Sequence, residues 1–225
     1  MIKLKLYKEI ISETFRGKRL GRVLQNINFE NIKISGVGID LGAKSNRASY
    51  YRYLKVSAGT KIKYTDLYPN SSDILRVDLE KHIPSKDDSQ DFLILNNVLE
   101  HLFEYQVCAN ECYRILKKGG KLIGTVPFLH KVHHDPDDFF RYTNSSLVKI
   151  FSRAGFDDIV IKPLGCGPFS AAVSQCEGVI RIRILRVFFY VTSVFVDWAL
   201  NKIFPKAVVL KAENYPLSFM FVCKK

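Results

Sequence analysis

No Ser-, Gly- or Pro-rich linker divides these 225 residues, and no segment repeats. One domain with additions is therefore expected, with 47% hydrophobic content giving one full core and little beyond it. The five cysteines lack the spacing of a disulfide framework. Cys108 and Cys112 lie one helical turn apart and read as buried thiols in a reducing compartment; a Cys-x₃-Cys metal pair is the lesser reading, because no second pair lies nearby. Residues 1–10 lack the apolar run of a secretory signal. There is no zinc finger, no appended RNA-binding module, and no set of aromatics interleaved with basic residues, so a nucleic-acid partner is the less expected one. Acids are in short supply: 22 Asp and Glu face 34 Lys and Arg, a net charge of +12. That excess asks for an anionic partner or surface.

What is present is concentrated at strand ends. Residues 36–41 read as a short buried strand, Gly42 breaks it, and residues 48–54 look like the start of a helix. Such a strand, small-residue turn and helix N-terminus bring backbone N–H groups close to a ligand. The next strand, residues 61–65, ends at Asp66, about twenty residues on, where dinucleotide folds bind ribose hydroxyls. After Asp40 in the first strand and Asp66 in the second, a third acid, Asp78, closes residues 74–79. Three acids at one edge of a parallel sheet describe a nucleoside site. Lys44 and Asn46 stand where the second and third glycines of a dinucleotide fingerprint belong, which crowds a diphosphate and suits a ligand with an amino-acid tail.

These motifs resemble the class I S-adenosylmethionine-dependent methyltransferases of the methyltransferase type 11 kind, over roughly residues 36–165 and again at the last strand. Asp40 to Gly42 resembles the family's first motif, Asp66 its ribose acid, and Asp78 with Leu79 its adenine-edge pair. Residues 90–102 resemble its fourth strand and the Val-Leu-Glu-His-Leu that follows; residues 113–127 resemble its helix, glycine turn and fifth strand. The resemblance implies an α/β Rossmann-like fold: a seven-stranded, mostly parallel sheet with an antiparallel last strand, and here an inserted apolar helix before that strand. It implies S-adenosyl-L-methionine as cofactor, held by Asp40, Gly42, Ala43, Asp66, Leu67, Asp78, Leu79 and Asn96.

Methyl transfer from a sulfonium mainly requires an acceptor atom held in line, and a hydroxyl acceptor also needs a base near neutral pH, most often His. Four of the five histidines lie between residues 101 and 134. Related family members carry a similar His-x-x-Pro-x-Asp-x-x-Arg-Tyr-Thr pattern, which falls on His133, Pro136, Asp138, Arg141, Tyr142 and Thr143. His133 is the first choice for the base and His101 the competitor, with Asp138, Arg141 and Tyr142 as substrate-binding candidates. Each has a plainer reading: His133 stapling the loop, Thr143 capping a helix over residues 144–154, Asp138 and Arg141 pairing, Tyr142 packing beneath. No metal is expected. Resembling ubiquinone-pathway enzymes place a Glu-x-x-Glu-His run here, but Asn97 replaces the first Glu, and His130, His133, His134 and Asp135 fit no zinc spacing.

Two segments fall outside that core. Residues 1–31 are read as a basic amphipathic helical cap, residues 32–166 as the cofactor-binding core, residues 167–212 as an apolar helical insertion and residues 213–225 as the last strand. Within the insertion, residues 187–196 are uncharged, far short of the ~20 needed to span a bilayer. Arg183, Arg186, Tyr190, Ser193, Asp197 and Asn201 form one narrow polar stripe on a helix expected to bury most of its circumference. The protein's own core, a second copy of the chain in a homodimer, or the interfacial layer of a membrane could bury it. The expected substrate is a small-molecule, glycan or lipid-linked acceptor, O-methylated in the cytoplasm or at the inner face of the membrane, with peripheral contact through residues 181–204. An RNA methyltransferase, or a non-catalytic binding protein that keeps the fold, is the alternative.

Overall fold

The computed structural model describes residues 2–43 and 48–225. Its helices are α1 (Ile2–Phe15), α2 (Leu20–Asn28), α3 (Tyr105–Ile115), α4 (Asn144–Ala154), α5 (Pro168–Cys176) and α6 (Arg183–Ile203). The strands are β1 (Lys33–Ile34), β2 (Val37–Leu41), β3 (Lys55–Val56), β4 (Lys61–Asp66), β5 (Ile74–Arg76), β6 (Gln90–Asn96), β7 (Leu116–Pro127), β8 (Asp158–Leu164) and β9 (Ser218–Lys224). Seven of them form one sheet in the order β5-β4-β2-β6-β7-β9-β8, while β1 and β3 pair separately. β2 lies parallel to β4 on one side, with Val37 opposite Lys61, and parallel to β6 on the other, with Gly38 opposite Phe92. The chain thus leaves β2 in one direction and returns on its other flank, creating a switch point where ligands bind beyond the strands' carboxyl ends.

The central strand β6 shows why the sheet forms. Phe92 to Leu95 are all buried, the continuous apolar run of a parallel strand covered on both faces. β9 is antiparallel to β7. The Gly119 amide, near the start of β7, donates to the Lys225 carbonyl after the end of β9. At the opposite end, the Phe128 amide donates to the carbonyl of Leu217, the residue before β9.

The chain divides into two compact units. A helical unit holds residues 1–28, 127–131 and 163–218, and a sheet unit holds residues 29–126, 132–162 and 219–225. Three sequence expectations change on inspection. Residues 48–54 do not open an α-helix: Ser49–Arg52 is a single 3₁₀ turn, after which β3 pairs with β1. The strand expected over 74–79 stops at Arg76, so Asp78 stands beyond its end. The N-terminal segment is two helices, parted at Gly17, whose φ of 84 suits glycine.

The largest departure is α6. Its polar stripe, not its apolar surface, faces the helical unit. Tyr190, Ser193 and Asp197 are buried, and the Tyr190 hydroxyl donates to Glu177 at 2.6 Å. Asp197 accepts from the Phe169 and Ser170 amides at 2.9 and 2.8 Å, capping the start of α5. Asn201 donates to the Leu210 carbonyl at 2.8 Å. The apolar side of the helix remains exposed, so the expectation that α6 buries most of its circumference does not hold within this chain.

Candidate active site

A cleft of about 270 Å³ opens in the sheet unit beyond the carboxyl ends of β2, β4, β5 and β6, and Gly42, Asp66, Leu67, Asp78 and Leu79 line it. Gly42 has φ of 75, and a Cβ there would come within 2.5 Å of a Val98 methyl; only glycine fits. The two acids are fixed by their own loops. Asp66 accepts from the Tyr68 amide at 2.9 Å, and Asp78 from the Glu80 amide at 3.0 Å. Lys81, 3.0 Å from Asp78, holds that carboxyl below its ordinary pKa, so it is ionised at neutral pH. Two carboxylates facing a partly apolar cleft beside an open glycine turn fit a nucleoside: hydroxyl donors for the acids and a flat base against Val77, Leu79 and Leu102.

The same cleft leads to an ionisable cluster. Glu100 lies in the 3₁₀ turn Leu99–His101 after β6 and is fully buried. Its Oε1 is 3.7 Å from His101 Nε2 and 3.9 Å from His133 Nε2, and the two imidazoles meet edge to face at 4.9 Å. His101 Nδ1 is hydrogen-bonded to the Asp137 carbonyl, which sets Nδ1 as the donor and leaves Nε2 with its lone pair. His133 Nδ1 lies 3.6 Å from Asp138, whose carboxylate also accepts the His133 amide at 2.8 Å. Arg141 grips Asp138 bidentately at 2.5 and 2.7 Å, holding that carboxyl well below its usual range. The ligand atoms of Glu100, His101 and His133 lie within 4.8 Å of one another, a set that could hold a cation.

Residues 35–124 match the family model described as "Methyltransferase domain". Over those residues the chain resembles the class I S-adenosylmethionine-dependent methyltransferases. S-adenosylmethionine is the methyl donor of that class. A SAM-dependent methyltransferase from Thermotoga maritima, described as a possible histamine N-methyltransferase, shares the fold at a TM-score of 0.54 and 14% identity over 98% of this chain and 99% of its own. A SAM-dependent methyltransferase from Archaeoglobus fulgidus does so at 0.53 and 17%, over 88% of each chain. Phosphoethanolamine N-methyltransferase 2 of Haemonchus contortus, solved with S-adenosyl-L-methionine, matches at 0.52 and 12% over 91% of this chain. The chain spans 52% of that enzyme's length. Among the curated proteins, no sequence matches.

Within the matched residues, the expected cofactor residues divide into two groups. Gly42, Asp66, Leu67, Asp78 and Leu79 stand on the cleft wall. Asp40, Ala43 and Asn96 stand off it. Asp40 is buried behind the turn and accepts from both the Tyr50 and Tyr51 hydroxyls; burial raises its pKa to about 7 against those two hydrogen bonds. Asn96 accepts from the Thr125 hydroxyl, and its neighbour Asn97, at a positive φ of 54, faces the cleft in its place. Lys44 and Asn46 lie outside the described residues. His101 lines the cleft and His133 stands against it. Tyr142 is buried under the loop, donating to the Leu99 carbonyl at 3.0 Å. Thr143 caps α4 through the Ser146 amide.

Sequence reasoning named Glu100 only as the acid of a family run beside His101 and gave it no role in the site, because its two histidine neighbours meet only when the loop folds back. It also missed Asp137 and Phe139, which reach the cleft from the far end of the same loop. The Phe139 amide donates to the Glu100 carbonyl at 2.9 Å and ties that loop to the turn after β6.

Proposed function

We propose that the protein O-methylates a hydroxyl of a small-molecule, glycan or lipid-linked acceptor, using S-adenosylmethionine bound in the cleft. Glu100 carries the reading: a fully buried carboxylate with two imidazole Nε2 atoms at 3.7 and 3.9 Å, one of them belonging to His101 on the wall of a nucleoside-shaped cleft. Asp66 and Asp78 would hold the ribose and the adenine edge. Bound there, the cofactor supplies an electrophilic methyl carbon on a sulfonium. His101, on the wall, would take the hydroxyl proton at Nε2 as the acceptor oxygen takes the methyl carbon and the methyl–sulfur bond breaks to leave a neutral thioether, and the Glu100 carboxylate would stabilise the resulting imidazolium. His133, oriented by Asp138 and Arg141, keeps the His101 ring and Glu100 in place and can receive the proton in turn. The basic, apolar character of the helical unit supports a membrane-face acceptor, such as a lipid-linked intermediate of polysaccharide assembly at the cytoplasmic side.

The test has a binding arm and a turnover arm. Asp66→Ala should weaken S-adenosylmethionine binding at least tenfold by calorimetry, about 1.4 kcal/mol. His101→Ala and His133→Ala should leave that affinity nearly intact while each lowers methyl transfer on the order of 10²-fold, and the double variant should lose little more than either single one. Full turnover in both single variants would show that positioning alone carries the reaction. A wild type that binds no cofactor would instead favour the non-catalytic alternative.

A further inference from the structure

We propose that the exposed face of α6 is a preformed docking surface for an anionic lipid bilayer. The inference deepens the membrane-face part of the reading above and is independent of the reaction. Two observations meet in the helical unit. The first is an inverted helix. Ile184, Phe188, Val191, Phe195 and Trp198 follow one another at spacings of four and three residues and so share one side of α6. Ile184, Phe188 and Phe195 are 67, 58 and 53% exposed, whereas Asp197, on the opposite side, is 1% exposed. A helix of a water-facing domain shows the reverse arrangement. Here the polar side chains are consumed by the protein itself, through Glu177, the α5 amides and the Leu210 carbonyl. Leu4, Ile11 and Phe15 of α1, packed on α6 in the same unit, are exposed as well.

The second observation is charge. The helical unit holds fourteen Lys and Arg against five Asp and Glu, a net +9 of the chain's +12, in fewer than half of its residues. Arg181, Arg183 and Arg186 stand at one end of the apolar face and Lys202 and Lys206 at the other. Lys202 lies 5.6 Å over the Trp198 ring, the aromatic and basic pairing of a headgroup boundary. An apolar face rimmed by cations matches a surface of anionic headgroups over acyl chains.

α6 has 21 residues, long and apolar enough to cross a bilayer by length and composition. Crossing would strip Tyr190, Asp197 and Asn201 from partners that belong to α5 and to the segments around Glu177 and Leu210, leaving buried polar groups orphaned. The helix therefore lies in the plane of the interface. A second copy is the poorer occupant, because α6 is basic at both ends: antiparallel or parallel pairing of two such helices sets cations against cations.

The experiment is sedimentation of the full chain with phosphatidylcholine vesicles, with and without about one third phosphatidylglycerol. Binding should rise at least tenfold with the anionic lipid and fall in high salt. Phe188→Glu combined with Phe195→Glu should abolish it while far-UV dichroism and cofactor affinity stay unchanged. Should that double variant misfold, Lys202→Glu with Lys206→Glu decides, retaining the apolar face but losing the preference for anionic vesicles. Wild-type protein that ignores anionic vesicles overturns the proposal, as does binding that neither pair of substitutions reduces. A stable dimer that the phenylalanine pair dissociates, with no vesicle binding, assigns the face to a second copy. Vesicle binding by a protein without methyl transfer leaves this surface standing and removes only the reaction.

Discussion

Asp40 is a residue of the first motif that the fold turns away from the cleft and onto two tyrosines. Its place in the first motif was legible from the strand and glycine around it, but its partners were not. Tyr50 and Tyr51 stand ten and eleven residues on, and a 3₁₀ turn brings both hydroxyls to one carboxylate. With its folded pKa raised from an ordinary 3.8 to about 7, the carboxyl is protonated in the folded state where the unfolded chain has already ionised. Its contribution is complete below pH 3.8 and is lost as pH rises through 7. Asp40→Asn, which cannot ionise, should therefore melt higher than the wild type at pH 8, by up to a few kcal/mol in unfolding free energy, with the gap closing near pH 4. Thermal melts of both proteins across that range measure it, and a constant gap would mean that the carboxyl is not held protonated. Glu100 was illegible for a related reason: its two imidazole neighbours come from its own turn and from a loop thirty-three residues away.

At the scale of elements, local signals carried through and the facing of helices did not. The Thr143 cap of α4 depends on four consecutive residues, so the sequence suffices for it. The period of polar residues on α6 was equally plain. Which side of α6 turns inward depends on α5, Glu177 and the Leu210 segment, none of which a helical wheel contains. Asp197 is the hinge of that arrangement, a charged cap supplied to α5 from another helix. Asp197→Ala should leave the Phe169 and Ser170 amides without their acceptor and destabilise the helical unit by roughly 2–4 kcal/mol. Asp197→Asn, which keeps one acceptor oxygen, should cost about half as much. Urea titrations of the three proteins give the comparison, and an alanine variant as stable as the wild type would remove the cap from the account.

For the whole molecule, acids at the ends of successive strands pointed to a parallel sheet, and the family resemblance those motifs carry implied its seven strands and antiparallel last strand. The division into two units was not legible, because the helical unit is assembled from three stretches that no linker separates. Removing β9 should be more damaging than its seven residues suggest, since Phe219, Met220, Phe221 and Cys223 are buried and β7 and β8 would each lose a neighbour. A chain stopped at Leu217 should accumulate as aggregate; recovery of soluble, cofactor-binding protein would contradict this.

The position of β9 also bears on the order of events during synthesis. It enters the sheet between β7 and β8, yet it is made only after the whole excursion through α5 and α6. Until it emerges from the ribosome, the gap it fills stays open and the apolar side chains it covers remain wet. Over that interval the growing chain presents two sticky surfaces at once, the unfilled sheet and the bare flank of α6. A nearby bilayer would shield the second of these while the first waits for its last strand.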